Sequence, residues 1–213
     1  KEIKTLDDLW TDELKGRIVV LSEFRDTVAI VMQSQGVDIT KGFGKVEFEK
    51  AVAVIEQKMD EGYIRRIKGN SYIEDLKSGN ALAGIVWSGD LFILRAETGN
   101  DNWQFTIPES GGTLWSDNMM IPITSTHRRN AMTLMNHYYD PAVAAEVAAW
   151  VNYVCPVQGA QEELAKSDPE LAESPFIFPS ADYIKDNNIQ GFPALSPEED
   201  QEYSAIWQKV MGN

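Results

Sequence analysis

Apolar residues recur along this chain in two rhythms, short continuous runs and spacings of three and four, and the two alternate. The runs at 17–21 and 81–87 are too short for helices and read as buried strands. Spaced patterns predict helices at about 27–35, closed by Gly36, and at about 46–61, where Phe48, Val52, Ile55 and Met59 share one face. A shorter helix at 71–78 stops at Gly79, and Ser88 is the expected N-cap of the next. Helices at 126–139 and 141–151 meet at Asp140-Pro141, an N-cap followed by proline at the first helical position. Thr5-Leu6-Asp7-Asp8 resembles a capping box, and Ser196-Pro197-Glu198-Glu199 opens a last helix through Tyr203, Ile206, Trp207 and Val210. Further strands are expected at 63–67, 102–107 and 118–123, with Pro122 confining the last to an edge. Residues 167–197 are proline-rich and read as a long strap. Strands alternating with helices predict an α/β fold.

In open α/β sheets, ligands bind beyond the carboxyl ends of the strands. Glu23 and Asp26 follow the first strand at that edge, and Trp87 ends another. The stretch 109–118 sets a Gly-Gly pair before alternating apolar and polar residues. On an extended strand Trp115 and Asp117 would face one space, an aromatic wall beside a carboxylate. Ammonium groups favour both partners. The plainer readings are an ordinary core indole for each Trp and a turn residue for Asp117. Tyr153, in the return at 153–156, joins the same set.

Composition sharpens this picture. With 213 residues, 43% of them apolar and six Trp, the chain can bury a sizeable core and is not of disordered composition. A net charge of −14 disfavours nucleic acid and anionic membranes as partners and favours a cationic ligand or simple solubility. Cys155 is the only cysteine, so no disulfide forms within the chain; it reads as a small buried residue before Pro156. No apolar run approaches the ~20 residues of a membrane span. HExxH, GxSxG, P-loop and CxxC signatures are absent, and His127 and His137 read as surface or interhelix residues. The expectation is a binding module, not an enzyme, with no cofactor and no metal. A cation–π contact contributes roughly 0.5–2 kcal/mol, and a hydrogen bond to a charged group about 1.5–3 kcal/mol. A diamine between two carboxylates and two indoles can therefore reach the roughly 8 kcal/mol of micromolar affinity.

Several motifs then fall into a known order. They are Leu6-Asp7-Asp8-Leu9-Trp10, Leu14-Lys15-Gly16-Arg17-Ile18, Arg25-Asp26, Ile85-Val86-Trp87-Ser88-Gly89-Asp90 and the stretch from Gly111 to Asn118. Asp140-Pro141 with Ala144-Ala145-Glu146, and Asn152-Tyr153 with Pro156, complete the series. Over nearly its whole length the chain resembles the solute-binding receptors of bacterial spermidine/putrescine ABC importers. That resemblance implies a type II periplasmic-binding-protein-like fold, with two lobes that close about a hinge on a polyamine. It also implies ligand contacts at Glu23, Asp26, Trp87, Trp115, Asp117 and Tyr153, in an acidic, Trp-lined interlobe cleft, and at Gln190 in the strap. Ser22 stands where members usually carry an acid, and Asp26 where Glu is common, which would alter the preference between putrescine and spermidine.

The resemblance starts after the first third of its relatives, and the chain opens on Lys1 rather than Met. The expectation is one complete lobe plus a remnant of the second. Residues 1–115 would be the main part of the C-terminal lobe and 116–160 the remnant of the N-terminal lobe. Residues 161–213 would be a return strap and a C-terminal helix packing on the C-terminal lobe. The implied role is an extracytoplasmic receptor fragment, periplasmic or lipid-anchored, serving ABC permease subunits. Alone, the fragment would bind polyamine weakly or not at all, and its orphaned apolar surface would favour self-association. Two alternatives are the same fold binding another small solute, and an extracytoplasmic segment fused to a permease as an interaction domain.

Overall fold

Strand β1 (Ile18–Leu21) is four apolar residues in a row, and all four are buried, as a strand covered on both faces requires. In this computed structural model, which describes residues 2–212, β1 is the middle of a three-stranded sheet. It pairs in parallel with β2 (Ile64–Lys68) on one side and β3 (Ala83–Gly84) on the other. β3 is shorter than the 81–87 run predicted. Leu82 N–H still donates to the Arg17 carbonyl (2.8 Å) and Ile85 N–H to the Val19 carbonyl (3.0 Å), but the ladder ends there. Gly84 allows this close approach, because a Cβ on it would meet the Val19 carbonyl oxygen at 2.3 Å.

Helices α1 (Phe24–Ser34) and α2 (Lys45–Asp60) link β1 to β2. The apolar spacing predicted a start near residue 27, yet α1 begins at Phe24, with Glu23 as N-cap and Asp26 inside the first turn. An acid there faces the orphan N–H groups and the positive end of the helix dipole, which favours the earlier start. Phe48, Ala51, Val52 and Ile55 form the buried face of α2, and Met59 is partly buried beside them. Helix α10 (Pro197–Val210) lies against α2, its start closed by reciprocal bonds between Ser196 and Glu199. Tyr203 stacks on Phe48 with centroids 4.3 Å apart, and the buried Trp207 donates its indole N–H to the Ser22 carbonyl at 2.6 Å.

Helices α3 (Tyr72–Lys77) and α4 (Asp90–Thr98) flank β3, and Gly89, not Ser88, is the N-cap of α4. β4 (Gly112–Leu114) and β5 (Ile189–Gly191) form a separate parallel pair, tied to α1 where Gln33 Nε2 donates to the Gly112 carbonyl (3.1 Å). The strands expected at 102–107 and 118–123 do not form. Neither segment has a ladder partner among the described residues, and Pro122 lacks the N–H a ladder needs.

The chain divides into two units: one takes residues up to Trp115 and again from Ile184, the other is Ser116–Tyr183. The second unit contains α5 (Arg128–Tyr138), α6 (Pro141–Val151), α7 (Ala160–Leu164), α8 (Pro169–Ala172) and the start of α9 (Ala181–Asp186). It has no strand among the described residues. Its core is small, built from Ala144, Ala145, Ala160, Leu164 and Ala172. Leu164 and Ala172 bind residues 161–183 to this unit, whereas 161–213 are expected from the sequence to be a return strap and a C-terminal helix on the C-terminal lobe. Met120, Ile123 and Trp150 are 85%, 87% and 86% exposed, and α5 buries none of its residues.

Candidate functional site

The chain leaves β1 toward β2 and then crosses back to reach β3 on the other side of β1. Such a reversal opens a crevice beyond the carboxyl ends of the two diverging strands. The first turn of α1 and the segment after β3 both emerge there, bringing together residues 61 positions apart. Trp87 donates its indole N–H to the Asp26 carboxylate at 3.0 Å.

Both partners are firmly placed. Trp87 is half-buried, and its backbone N–H donates to the Tyr72 hydroxyl (3.2 Å), whose ring centroid lies 5.9 Å from the indole. The fully buried Tyr72 in turn hydrogen-bonds through its hydroxyl to the Asp90 carboxylate at the start of α4. Asp26 is 9% exposed. Burial pushes its carboxyl above the ordinary carboxylate range, and the hydrogen bond from Trp87 opposes that shift. The neighbouring Glu23 charge adds to the rise, while a hydrogen bond from Thr113 on β4 and the charge of Arg25 oppose it. Arg25 itself pairs with Asp200 of α10, its guanidinium 4.5 Å from the centroid of the Phe24 ring.

Glu23 is exposed and accepts a hydrogen bond from Ser22 Oγ at 3.2 Å. The turn that carries it is held from beneath by the Trp207 bond to Ser22. Trp115 lies one residue past β4 and is 42% exposed, so this indole is not a core residue of its unit. The strand expected to align Trp115 with Asp117 stops at Leu114, and the two residues belong to different units. Asp117 is exposed, and Tyr153, half-buried in the second unit, follows Asn152, the left-handed C-cap of α6. Cys155 is half-buried rather than buried.

Gln190 is held by hydrogen bonds within its own unit. It is 8% exposed; its Oε1 accepts from the Ile39 N–H (2.9 Å) and its Nε2 donates to Asn188 Oδ1 (2.9 Å). One bond at each end of the amide ties β5 to the turn at Ile39. Sequence reasoning overlooked Tyr72, Asp90 and Thr113. Asp90 and Thr113 lie within motifs already singled out, but Tyr72 carries no signal beyond an aromatic in a short helix. Among the described residues, no group of three or more His, Cys, Asp or Glu is arranged to hold a metal ion.

Comparison with known proteins agrees with this architecture. Residues 1–173 match the family profile of the bacterial extracellular solute-binding proteins. The spermidine/putrescine-binding periplasmic protein of Escherichia coli is 27% identical over 206 residues, covering 95% of this chain and 56% of that protein. The chain thus spans little more than half the length of that relative. A solved structure from Listeria monocytogenes, ascribed to a spermidine/putrescine ABC transporter, superposes with a TM-score of 0.81 at 23% identity, covering 97% of this chain and 61% of the other. The substrate-binding protein PotD of a Streptococcus pneumoniae spermidine/putrescine ABC transporter gives 0.74 at 21% identity, covering 99% and 62%. The fold is therefore that of these solute-binding proteins, represented in part. A profile matched over residues 1–173, on a parallel sheet whose carboxyl edge gathers acids and an indole, makes this chain a member of the bacterial extracellular solute-binding protein family.

Proposed function

We propose that the complete protein is a polyamine receptor of an ABC importer, a binding protein and not an enzyme, working outside the cytoplasmic membrane. The observation that carries this reading is the Trp87–Asp26 hydrogen bond at the sheet edge, beside the exposed Glu23. An aromatic face next to carboxylates suits an alkylammonium group. The nearby cation, Arg25, is engaged by Asp200 and does not occupy that place. The names of the relatives point the same way, toward putrescine or spermidine as solute, and those of the solved structures toward an ABC transporter, whose permease subunits are the partners we propose. No helix among the described residues is long and apolar enough to cross a membrane.

In this reading the first unit corresponds to the main part of the C-terminal lobe and contributes Glu23, Asp26, Trp87 and Trp115. The second unit corresponds to part of the N-terminal lobe. Asp117 and Tyr153, which belong to it, are proposed as ligand contacts on the family resemblance. Its exposed Met120, Ile123, Met132, Leu134 and Trp150 are apolar side chains through which the 213-residue chain by itself self-associates. Sedimentation velocity over a concentration series checks that point.

Titration calorimetry of the complete protein with putrescine, spermidine and a dicarboxylate of matched length tests the function. Binding of at least one amine at micromolar affinity or tighter, weakened at least tenfold by Glu23→Gln, is the expected result. Binding of the dicarboxylate instead, or of none of the three, would sink the proposal.

A further inference from the structure

We propose that the groove between α6 and α7 is a docking site that takes a lysine or arginine side chain of a permease subunit. The partner rests on the receptor reading above; the groove and its chemistry rest on the second unit alone. α6 and α7 pack through Ala144, Ala145, Ala160 and Leu164, and beside that contact they leave an open groove of about 490 Å³. Ala142, Ala145 and Ala149 line its α6 side with side chains that end at Cβ, so its floor is low and apolar. Glu146 and Trp150 line it too, four residues apart on one helix face, where side chains of successive turns are neighbours. A carboxylate beside an indole offers the two groups that an ammonium or guanidinium favours. Trp150 is almost fully exposed, and among the described residues the exposed Glu146 has no ion-pair partner. Glu163 on the facing rim, by contrast, is already matched by Lys166 at 2.6 Å.

The charge around the groove selects the sign of the partner. Residues 141–173 carry six acids against one base, so a basic segment is attracted and an acidic one repelled. A free diamine lying in so open a groove would stay largely in water, whereas small-molecule sites bury most of their ligand. A long side chain held by its own protein fits better. Its methylene stem lies along the three alanines while its charged head reaches Glu146 and Trp150. Val151 and Val154, both exposed, extend the apolar rim. Between them α6 ends at Asn152, and Tyr153, proposed above as a ligand contact, comes next. A partner seated there touches the helix end from which Tyr153 leaves, so docking and solute binding share one element.

The test uses the complete protein, because in the isolated chain Trp150 is among the side chains proposed to self-associate. Trp150→Ala and Glu146→Lys, each replacing the wild type in the cells it comes from, are expected to lower uptake of radiolabelled putrescine and spermidine at least about fivefold. Calorimetric affinity of the purified variants for both amines is expected to stay within about twofold of the wild type, with melting temperatures within about a degree. Wild-type uptake by either variant, or an affinity that falls as far as uptake, would overturn the inference. So would a second equivalent of amine bound by the wild type and lost in Trp150→Ala, which would assign the groove to free solute. A crosslinking arm needs no solute. Trp150→p-benzoylphenylalanine, irradiated in whole cells, is expected to form an adduct with a permease subunit at a segment that carries Lys or Arg. No adduct, or an adduct within the same chain or with a second copy of it, also overturns the inference. If the wild type binds neither polyamine, the polyamine reading fails by itself, while the adduct still decides the docking site.

Discussion

The indole N–H of Trp87 and the carboxylate of Asp26 form one hydrogen bond of 3.0 Å that joins the end of β3 to the first turn of α1. Burial raises the pKa of Asp26 above its usual 3.8, so the folded protein holds this proton more tightly than the unfolded chain does. As pH rises from 3.8 through the raised native value, the unfolded state has already released its proton while the folded state still holds one. Stability contributed by this group therefore falls across that window and stays reduced above it. Asp26→Asn removes the penalty while keeping an acceptor for Trp87. The expected outcome is a melting temperature at about pH 7 equal to or above that of the wild type, with the difference gone below pH 3.8. Thermal melts at both pH values check it. A gain in stability paired with a loss of affinity would mark Asp26 as a functional charge.

Trp207 supports the turn that carries Glu23 from the opposite direction. Its indole N–H donates to the Ser22 carbonyl at 2.6 Å, one residue before Glu23. Trp207→Phe keeps most of the packing and orphans that carbonyl, an expected cost of about 1–3 kcal/mol. Urea denaturation measures the cost, and polyamine affinity is expected to fall with it as the Glu23 turn loosens.

Gln190 distinguishes a strut from a ligand contact. Gln190→Ala strands the buried Ile39 N–H, an expected loss of about 1–3 kcal/mol in stability. Affinity for putrescine and spermidine is expected to change less than about twofold, because both ends of the amide already serve the protein. A tenfold loss of affinity at unchanged stability would place Gln190 among the binding residues.

Gly84 sets the spacing between β1 and β3. A Cβ at this position meets the Val19 carbonyl oxygen at 2.3 Å and Val19 Cγ2 at 2.7 Å. Gly84→Ala is expected to cost about 1–3 kcal/mol through the overpacked contact. It would also move the segment carrying Trp87, so weaker polyamine binding accompanies the lowered denaturation midpoint.

Asp117 is exposed, so replacing it removes charge and little packing. Asp117→Asn in the complete protein is expected to weaken polyamine binding at least tenfold, as loss of a charged hydrogen bond of about 1.5–3 kcal/mol implies. The melting temperature is expected to stay within about a degree, in line with the small effects of exposed substitutions. Calorimetric titration and a melt on the same sample decide whether Asp117 belongs to the site.

Local patterns were sufficient wherever a short-range interaction dominates. The run Ile18–Leu21 reads as a buried strand because a short, β-branched apolar run is too short for a helix and suits a strand covered on both faces. The Ser196 and Asp140 caps read directly because their bonds close within three residues. The acids after β1 and the indole after β3 were legible as an edge cluster, since residues at strand ends follow from strand positions. Tertiary structure alone decided how that cluster is wired. That Asp26 enters the helix, that Trp87 gives its N–H to it, and that Tyr72 braces the indole depend on contacts between segments far apart in sequence. Gln190 likewise reads as a polar loop residue until Ile39, 151 positions away, is seen to claim it. The strands expected at 102–107 and 118–123 failed for the same reason, because a strand exists only where a neighbouring backbone completes its hydrogen bonds, and no local pattern supplies that neighbour.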